Sequence, residues 1–277
     1  MFARGTGRAL LMTGLVVAAA LAGSTQAGAS PYGGFTATCS SAADANERFW
    51  TNMSWDTFRS KDAGYFADGL RITQLDIEGH DVTATWQPGS GTQRVHWGLS
   101  TDQLESLDAT YFSQGLRLVD LDYDGDWAAV WRPGSGAQHW RSGIPSWTDF
   151  KNQNQVYFDQ GLRLVDVVVN ADDDITGVWR ADQGTAGQVW QSGLLGSGVD
   201  ANNESQFDRV NRARKESGWE LQIVRTHPHD SYVMGVWRYR GGSFQQSTNL
   251  YQTTEALANM RIHCQERGMR LVSVDVK

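Results

Sequence analysis

The stretch GLRLVDLDYDGDWAAVWRPGSGAQHWRSGI, Gly115–Ile144, decides how this chain is organised, because it returns almost unchanged 46 residues later. The second copy reads GLRLVDVVVNADDDITGVWRADQGTAGQVWQSGL and covers Gly161–Leu194. Each copy contains an alternating apolar strand, a second strand that ends in Val-Trp-Arg, a turn and a third short strand with another Trp. The copies are therefore structural units of one repeated architecture.

Five copies appear when the chain is aligned on the glycine that opens each unit. These glycines stand at positions 69, 115, 161, 218 and 268, at spacings of 46, 46, 57 and 50 residues. Such spacings are typical of propeller blades and other closed repeat arrays. A segment with helical spacing precedes each glycine, as in Trp147–Phe158, and the glycine suits the position after a helix where φ is positive. Each predicted unit is strand–strand–strand–helix.

The fifth unit is divided between the two ends of the chain. Met269–Val276 supplies one strand, after which the sequence ends at Lys277. Gly34–Cys39, Glu47–Trp50 and Ser54–Gly69 supply a second strand, a third strand and a helix. Joining the two ends leaves no open sheet edge, whereas a linear solenoid needs capping repeats with polar outer faces.

We therefore predict an α+β fold in which five repeats form one closed ring, an α/β-propeller-like toroid, in a single domain over residues 30–277. The predicted units span about 70–115, 116–161, 162–218, 219–268, and 269–277 plus 34–69.

The two cysteines occupy equivalent positions of the divided unit. Cys39 falls where the other copies have Trp86, Trp131, Trp179 and Trp237, and Cys264 falls where three copies have Tyr65, Tyr111 and Tyr157. If Trp and Tyr pack together in an ordinary unit, a Cys39–Cys264 disulfide replaces that pair. A disulfide needs Cα atoms roughly 4.4–6.8 Å apart, which a closed ring would provide. Two free buried thiols are the alternative.

The amino-terminal residues have the pattern of a secretory signal peptide. Arg4 and Arg8 precede the apolar run Ala9–Gly23, and Ala27-Gly28-Ala29 follows it. We predict a signal peptide over residues 1–29, cleaved near Ala29, and a secreted protein. The apolar run is shorter than the ~20 residues that a bilayer span requires, so no membrane insertion is expected.

The charge of the mature chain argues against two classes of partner. Cleavage would leave 22 basic and 31 acidic residues, a formal charge of −9. An acidic chain without a basic stripe is a poor partner for nucleic acid or anionic lipid. We expect a monomer.

The repeated motifs G-[LM]-R-[LI]-V-x-[VL]-D, V-W-R and W-x-S-G-[LI] resemble those of secreted bacterial tandem-repeat proteins. Similar repeats form the amino-terminal region of the fungal polyglycine hydrolases, in which a separate serine β-lactamase-like domain performs catalysis. The resemblance covers nearly the whole mature chain, yet the sequence contains no S-x-x-K and no K-T-G. The resemblance therefore implies a non-catalytic recognition or scaffolding module, and no catalytic residue is carried over.

Acidic residues on one face of the first strand are candidate ligand-binding residues. They are Asp76, Asp120, Asp122, Asp166 and Asp275. If the first strand lines the axis of a ring, these side chains form an acidic collar, suited to a cation or an amine-bearing ligand. The alternative is that they bond backbone N–H groups or the repeated arginines Arg71, Arg117, Arg163 and Arg270.

The tryptophans form two sets with different expected roles. Trp86, Trp131, Trp179 and Trp237 end a β-rich strand and are expected in the core. Trp97, Trp140 and Trp190 are flanked by polar residues and are candidate ligand-binding residues, because exposed indole rings stack on sugar faces. Burial in the core is the alternative for this second set.

Two further patterns suggest metal sites but lack essential ligands. Asp120–Asp126 resembles the start of a calcium loop, yet its twelfth position is Trp131 rather than an acid, so we favour an acidic hairpin tip. His227-Pro228-His229 presents two imidazoles without a third ligand in the sequence nearby. We predict no metal, no cofactor and no catalytic residue.

The sequence thus predicts a secreted, non-enzymatic recognition module for an extracellular glycan, peptide or partner protein. An alternative is a hydrolase of extracellular polymers with an axial acidic site, which requires two carboxylates of separated pKa, roughly 5–10 Å apart. A further alternative is a purely structural surface protein without a small ligand.

Overall fold

The computed structural model describes residues 34–41, 46–201 and 203–276. The predicted signal peptide lies outside the described residues. The first elements are β1 (Phe35–Ser41), β2 (Arg48–Met53), α1 (Trp55–Ala67), β3 (Leu70–Glu78) and β4 (Asp81–Pro88). Next come β5 (Arg94–Leu99), α2 (Thr101–Ser113), β6 (Leu116–Asp124), β7 (Asp126–Pro133), β8 (Gln138–Ile144), α3 (Trp147–Asp159), β9 (Arg163–Val169) and β10 (Ile175–Arg180). The last are β11 (Gln188–Leu195), α4 (Gln206–Glu216), β12 (Trp219–Thr226), β13 (Tyr232–Tyr239), β14 (Gln246–Gln252), α5 (Thr254–Glu266) and β15 (Met269–Val276).

The strands form five antiparallel sheets of three strands each. The strand orders are β2-β4-β3, β5-β7-β6, β8-β10-β9, β11-β13-β12 and β14-β1-β15. In each of the first four sheets the chain forms one edge strand, then a helix, then the other edge strand, and finally the central strand. The edge strand before the helix is called the outer strand, and the edge strand after the helix is called the inner strand. The predicted α+β fold of repeated three-stranded units is confirmed.

The strands that share a sheet are offset from the predicted unit boundaries. The third strand of each predicted unit, such as β5 after β3 and β4, pairs in the following sheet with β7. A repeat has no intrinsic starting point in sequence, so its period alone does not determine which three strands share a sheet.

The fifth sheet is assembled from both ends of the described chain. The central strand β1 pairs with β14 on one side and with β15 on the other. The inner strands contact one another in the order β3, β6, β9, β12 and β15, and β15 contacts β3. The contacts between inner strands therefore follow a cycle, and the line about which these five strands are arranged is called the axis below.

The predicted disulfide between the two ends is present. Cys39 and Cys264 are bonded, with Cα atoms 6.2 Å apart. In three other units the ring centroids of the corresponding Tyr and Trp are 4.8–5.2 Å apart: Tyr65 with Trp86, Tyr111 with Trp131 and Tyr157 with Trp179. The disulfide thus takes the place of an aromatic pair that these three units pack between helix and sheet.

The hydrophobic core is divided into five clusters, each containing a buried tryptophan or the disulfide. Trp86, Trp131, Trp179 and Trp237 are fully buried, which confirms their expected core role. Their indole N–H groups donate to Asp62, Asp108, Asn154 and Asn211 on the neighbouring helices. A large ring can be buried at this point because its single polar atom has a fixed partner.

Each helix begins at a Ser or Thr whose side chain caps a backbone N–H of the first turn. Gly115 follows α2 with a φ of 80°, a conformation that glycine adopts without a steric penalty. The four remaining opening glycines also have positive φ, as the sequence predicted.

A repeated glutamine joins each sheet to the next. The side-chain oxygens of Gln93, Gln138, Gln188 and Gln246 accept the backbone N–H of Ile72, Leu118, Leu164 and Leu221 in the preceding inner strand. At the junction between β15 and β2 the residue is Glu47, whose Oε2 accepts from Leu271 N–H at 2.8 Å. Glu47 is 3% exposed.

The pKa of Glu47 makes this junction sensitive to pH. Burial raises this pKa from the ordinary 4.5 to about 7, against the Leu271 N–H and the charge of Arg261, which lower it. The folded state therefore holds the proton more tightly than the unfolded chain does. The protonated Glu47 carboxyl therefore contributes to the free energy of unfolding in full below pH 4.5, and this contribution is lost as the pH rises through 7.

We expect Glu47→Gln to reduce the difference in unfolding free energy between pH 4 and pH 8 by about 3 kcal/mol, which corresponds to the pKa shift of the carboxyl group. Urea unfolding of both proteins at the two pH values measures this difference. Gln93→Glu is the matched control, because it introduces a carboxyl at an equivalent junction and should add pH dependence. An identical pH dependence in wild type and Glu47→Gln would contradict the assignment.

Candidate functional site

The five carboxylates of the predicted collar lie on inner strands around the axis. Asp76 is on β3, Asp120 and Asp122 are on β6, Asp166 is on β9 and Asp275 is on β15. Asp122 is half-buried and the other four are buried. The structure therefore brings together residues that are up to 199 positions apart in sequence.

Each collar carboxylate accepts a backbone N–H from a neighbouring inner strand. The pairs are Asp120 with Leu75, Asp122 with Ile77, Asp166 with Leu121, Asp275 with Thr226 and Asp76 with Val276, at 2.7–3.2 Å. These bonds satisfy edge N–H groups that the three-stranded sheets leave unpaired. The collar thus has an architectural role, which is the alternative that the sequence left open.

Arg225 on β12 interrupts the collar and was missed by the sequence reasoning. It is 8% exposed, and its Nη2 lies 2.7 Å from Asp166 Oδ1, while Nε lies 3.9 Å from Asp275 Oδ1. It also donates to the carbonyl oxygens of Val167 and Val274. Its position in the repeat could have predicted this location, because Arg225 stands seven residues after Gly218, where three other copies have an Asp.

The electrostatics of the axis follow from burial and from Arg225. Burial raises the pKa of Asp120 and Asp166, the charge of Asp166 adds to the effect on Asp120, and Arg225 opposes both shifts. Burial disfavours the charged form of Arg225, but Asp166, Asp275 and Asp120 outweigh this cost and raise its pKa. Arg225 therefore remains a cation among buried carboxylates.

A cavity of about 220 Å³ opens at one end of the axis, and we call it the mouth cavity. Its charged lining consists of Glu78, Asp122, Asp124, Asp275 and Arg225. The remaining wall is largely apolar and includes Tyr123, Val168, Val169 and Pro228. Four carboxylates thus line the cavity together with one guanidinium, which forms ion pairs with Asp166 and with Asp275. Asp120 and Asp166 do not line this cavity.

The three predicted ligand-binding tryptophans lie on the outer strands, away from the collar. Trp97 belongs to the cluster of Trp86, Trp140 to that of Trp131 and Trp190 to that of Trp179. All three are half-buried. The structure therefore does not bring them together, and any ligand of one is bound independently of the others.

The metal-like patterns of the sequence have other partners in the structure. Asp120, Asp122 and Asp124 accept N–H groups from Leu75, Ile77 and Gly79. His227 Nε2 lies 3.2 Å from Asp173 Oδ1, and His229 Nε2 lies 2.5 Å from the carbonyl oxygen of Ala171. Within residues 34–41, 46–201 and 203–276, no group of three or more His, Cys, Asp or Glu side chains is arranged to hold a metal ion.

None of the helices in the described part of the chain combines the length and the apolar character that crossing a bilayer requires.

A scan against models of protein families and a search of curated proteins each found no match to this chain.

Proposed function

We propose that this chain is a secreted, non-enzymatic recognition module that binds an amine-bearing ligand, such as a lysine side chain of an extracellular peptide, in the mouth cavity. The observation that carries the proposal is the lining of this cavity, where an excess of carboxylates meets an apolar wall. The disulfide supports secretion, because disulfides persist in oxidising compartments.

An alkylammonium group has the two features that this lining matches. Its charged head is attracted by Glu78, Asp122 and Asp124, and a concave, low-dielectric wall concentrates that field. Its methylene stem can pack on Val168 and Val169, as lysine stems do on apolar surfaces. A hydrated metal ion would use the carboxylates but not the apolar wall, so the lining favours an organic cation.

The geometry favours binding over hydrolysis. Asp120 has a raised pKa, as a general acid requires, but Asp120 and Asp166 are only 4% and 2% exposed. Both carboxylates accept backbone N–H groups and lie outside the lining of the mouth cavity. A substrate in that cavity would therefore not meet the acid–base pair that the axial hydrolase alternative needs.

Calorimetric titration with the blocked peptide acetyl-Gly-Lys-Gly-amide tests the proposal. We expect binding that weakens with added salt, and no binding of the same peptide with an acetylated lysine, because acetylation removes the charge. Glu78→Gln combined with Asp124→Asn should weaken binding about tenfold or more, equivalent to about 1.4 kcal/mol. Glu105→Gln with Asp126→Asn is the matched control, since neither residue lines the cavity.

Two results would overturn the proposal. Equal binding of the acetylated and the free lysine peptide would remove the amine from the recognition chemistry. Cleavage of the peptide, measured by mass spectrometry after incubation, would contradict the non-enzymatic assignment.

A further inference from the structure

We propose that the protein has a second, independent binding site, a carbohydrate-binding groove between α2 and β8 in which a sugar ring stacks on Trp140. This α2–β8 groove has a volume of about 600 Å³ and is lined by Glu105, Asp108, Phe112, Trp140, Arg141 and Ser142, among others. Its volume falls within the range of about 300–1,000 Å³ that is typical of small-molecule sites.

The corresponding groove of the preceding unit, between α1 and β5, is filled by aromatic rings. Trp55 stacks on Trp97 with ring centroids 4.2 Å apart and planes at 6°. The guanidinium of Arg59 lies over Trp97, 4.7 Å from the ring centroid. A ligand has no access to the face of an indole that is covered in this way.

The two indoles that fill the first groove are replaced by residues with small hydroxyl side chains in the second. Trp55 is the first residue of α1, and the first residue of α2 is Thr101. Trp97 precedes Gly98, and Ser142 precedes Gly143, which has the same φ of 64°. Two hydroxyl side chains thus stand where two stacked indoles stand in the neighbouring unit. Thr101 Oγ1 accepts from Trp127 Nε1 at 3.1 Å, and the groove opens beside Ser142.

The third groove, between α3 and β11, shows what covers the equivalent of Trp140. Trp140 and Trp190 each stand three residues before a glycine with positive φ, Gly143 and Gly193. Trp190 packs on Trp147 and on the edge of Phe150, with ring centroids 5.8 and 5.0 Å away. In α2 the corresponding residues are Thr101 and Leu104, so Trp140 lacks both of these helix rings. Trp140 packs instead on Trp127 of β7, with ring centroids 6.4 Å apart and planes at 66°, and it remains part of the lining of the groove.

The polar groups around Trp140 have the character that a sugar requires. A pyranose ring has an apolar C–H face for stacking and hydroxyl groups at its edge, which both donate and accept hydrogen bonds. Glu105 and Asp108 offer acceptors beside the indole, and Arg141 offers donors. A neutral ligand with hydroxyl groups suits this mixture of charges better than a ligand of single charge.

Two of these polar groups are held in place before any ligand binds. Asp108 accepts from Trp131 Nε1 at 2.8 Å and from Gln138 Nε2 at 2.9 Å. Arg141 Nη1 donates to Gln153 Oε1 at 2.7 Å. Such preorganisation reduces the entropy that is lost on binding.

The test is a titration of the purified protein with cellotetraose, chitotetraose and xylotetraose, followed by tryptophan fluorescence and by saturation-transfer NMR. We expect at least one of them to bind with a Kd of about 1 mM or tighter. Thr101→Trp, which installs the covering residue of the first and third units, should weaken binding about tenfold or more. Trp140→Ala should have the same effect, and Trp190→Ala, at the covered equivalent, should leave the affinity unchanged.

Near-UV circular dichroism verifies that Thr101→Trp is folded. Thr101→Val, which also removes the acceptor of Trp127 Nε1 but adds no ring, should keep the affinity, so a loss of binding in Thr101→Trp then reports on the groove. No binding of any of the three oligosaccharides at 10 mM, or undiminished binding by folded Thr101→Trp, would overturn the proposal. Displacement of the sugar by acetyl-Gly-Lys-Gly-amide would also overturn it, because the groove would then be a peptide site. Retained sugar binding in the Glu78→Gln/Asp124→Asn variant separates this site from the mouth cavity.

Discussion

Replacing Arg225 with methionine is expected to lower the free energy of unfolding by about 3–5 kcal/mol, because the substitution leaves buried carboxylates without their cation. Arg225 bonds Asp166 at 2.7 Å, lies 3.9 Å from Asp275 and donates to carbonyl oxygens of two neighbouring inner strands. Methionine has a similar length but carries no charge and donates no hydrogen bond, so all of these contacts are lost together.

The loss should depend on pH in a defined direction. Without Arg225, the pKa of Asp166 rises further above its ordinary value, since burial already raises it and Arg225 opposes that rise. An acid whose pKa is raised in the folded state destabilises the fold as the pH increases. The deficit of Arg225→Met is therefore expected to be larger at pH 8 than at pH 5.

Urea unfolding at the two pH values measures this deficit. Arg141→Met is the matched control, since this exposed arginine forms a single side-chain hydrogen bond, and it should change stability by less than about 1 kcal/mol. The double variant Arg225→Met/Asp166→Asn should recover part of the loss, because it removes the unpaired charge. An Arg225→Met deficit below about 1 kcal/mol, or one that is equal at both pH values, would contradict the role of Arg225.

The second large effect is expected from the disulfide between the ends of the chain. Cys39→Ala with Cys264→Ala should lower the free energy of unfolding by about 2–5 kcal/mol. The bond joins residues separated by 225 positions, so it removes a large loop-closure entropy from the unfolded chain. It also holds β1 to α5, and β1 is the central strand of the fifth sheet.

Thermal unfolding with and without a reductant measures this contribution. The reduced wild type should unfold at the same temperature as the double alanine variant, apart from the effect of the two missing sulfur atoms. The unfolding temperature of that variant should not change when the reductant is added. A variant with Cys39→Trp, Cys264→Tyr and Arg261→Asn restores the aromatic pair and the indole acceptor of the other units. It should regain packing energy but not the loop-closure term. Unchanged stability of fully reduced wild type would show that the bond is not needed.

Much of the fold was predictable from the sequence because aligning the repeats shows which residues occupy equivalent positions. Cys39 and Cys264 were identified as partners because they stand where other copies have Trp131 and Tyr111. The divided fifth unit was predicted because the strand at one end of the chain lacked the partner that the other end supplies. Glu47, in contrast, has a raised pKa because of its burial, and the sequence places it where other copies have a glutamine without showing how deeply it is buried.

The sequence by itself determined the number of units, their strands and helices, the core tryptophans and the disulfide, because each follows from local periodicity or from comparison between copies. Only the tertiary structure decided which three strands share a sheet, where Arg225 lies among the carboxylates, and that the α2–β8 groove is open whereas the α1–β5 groove is filled. The physical reason is that these features depend on contacts between neighbouring units. A repeat period fixes what each unit contains, but burial and charge pairing arise only where the units meet.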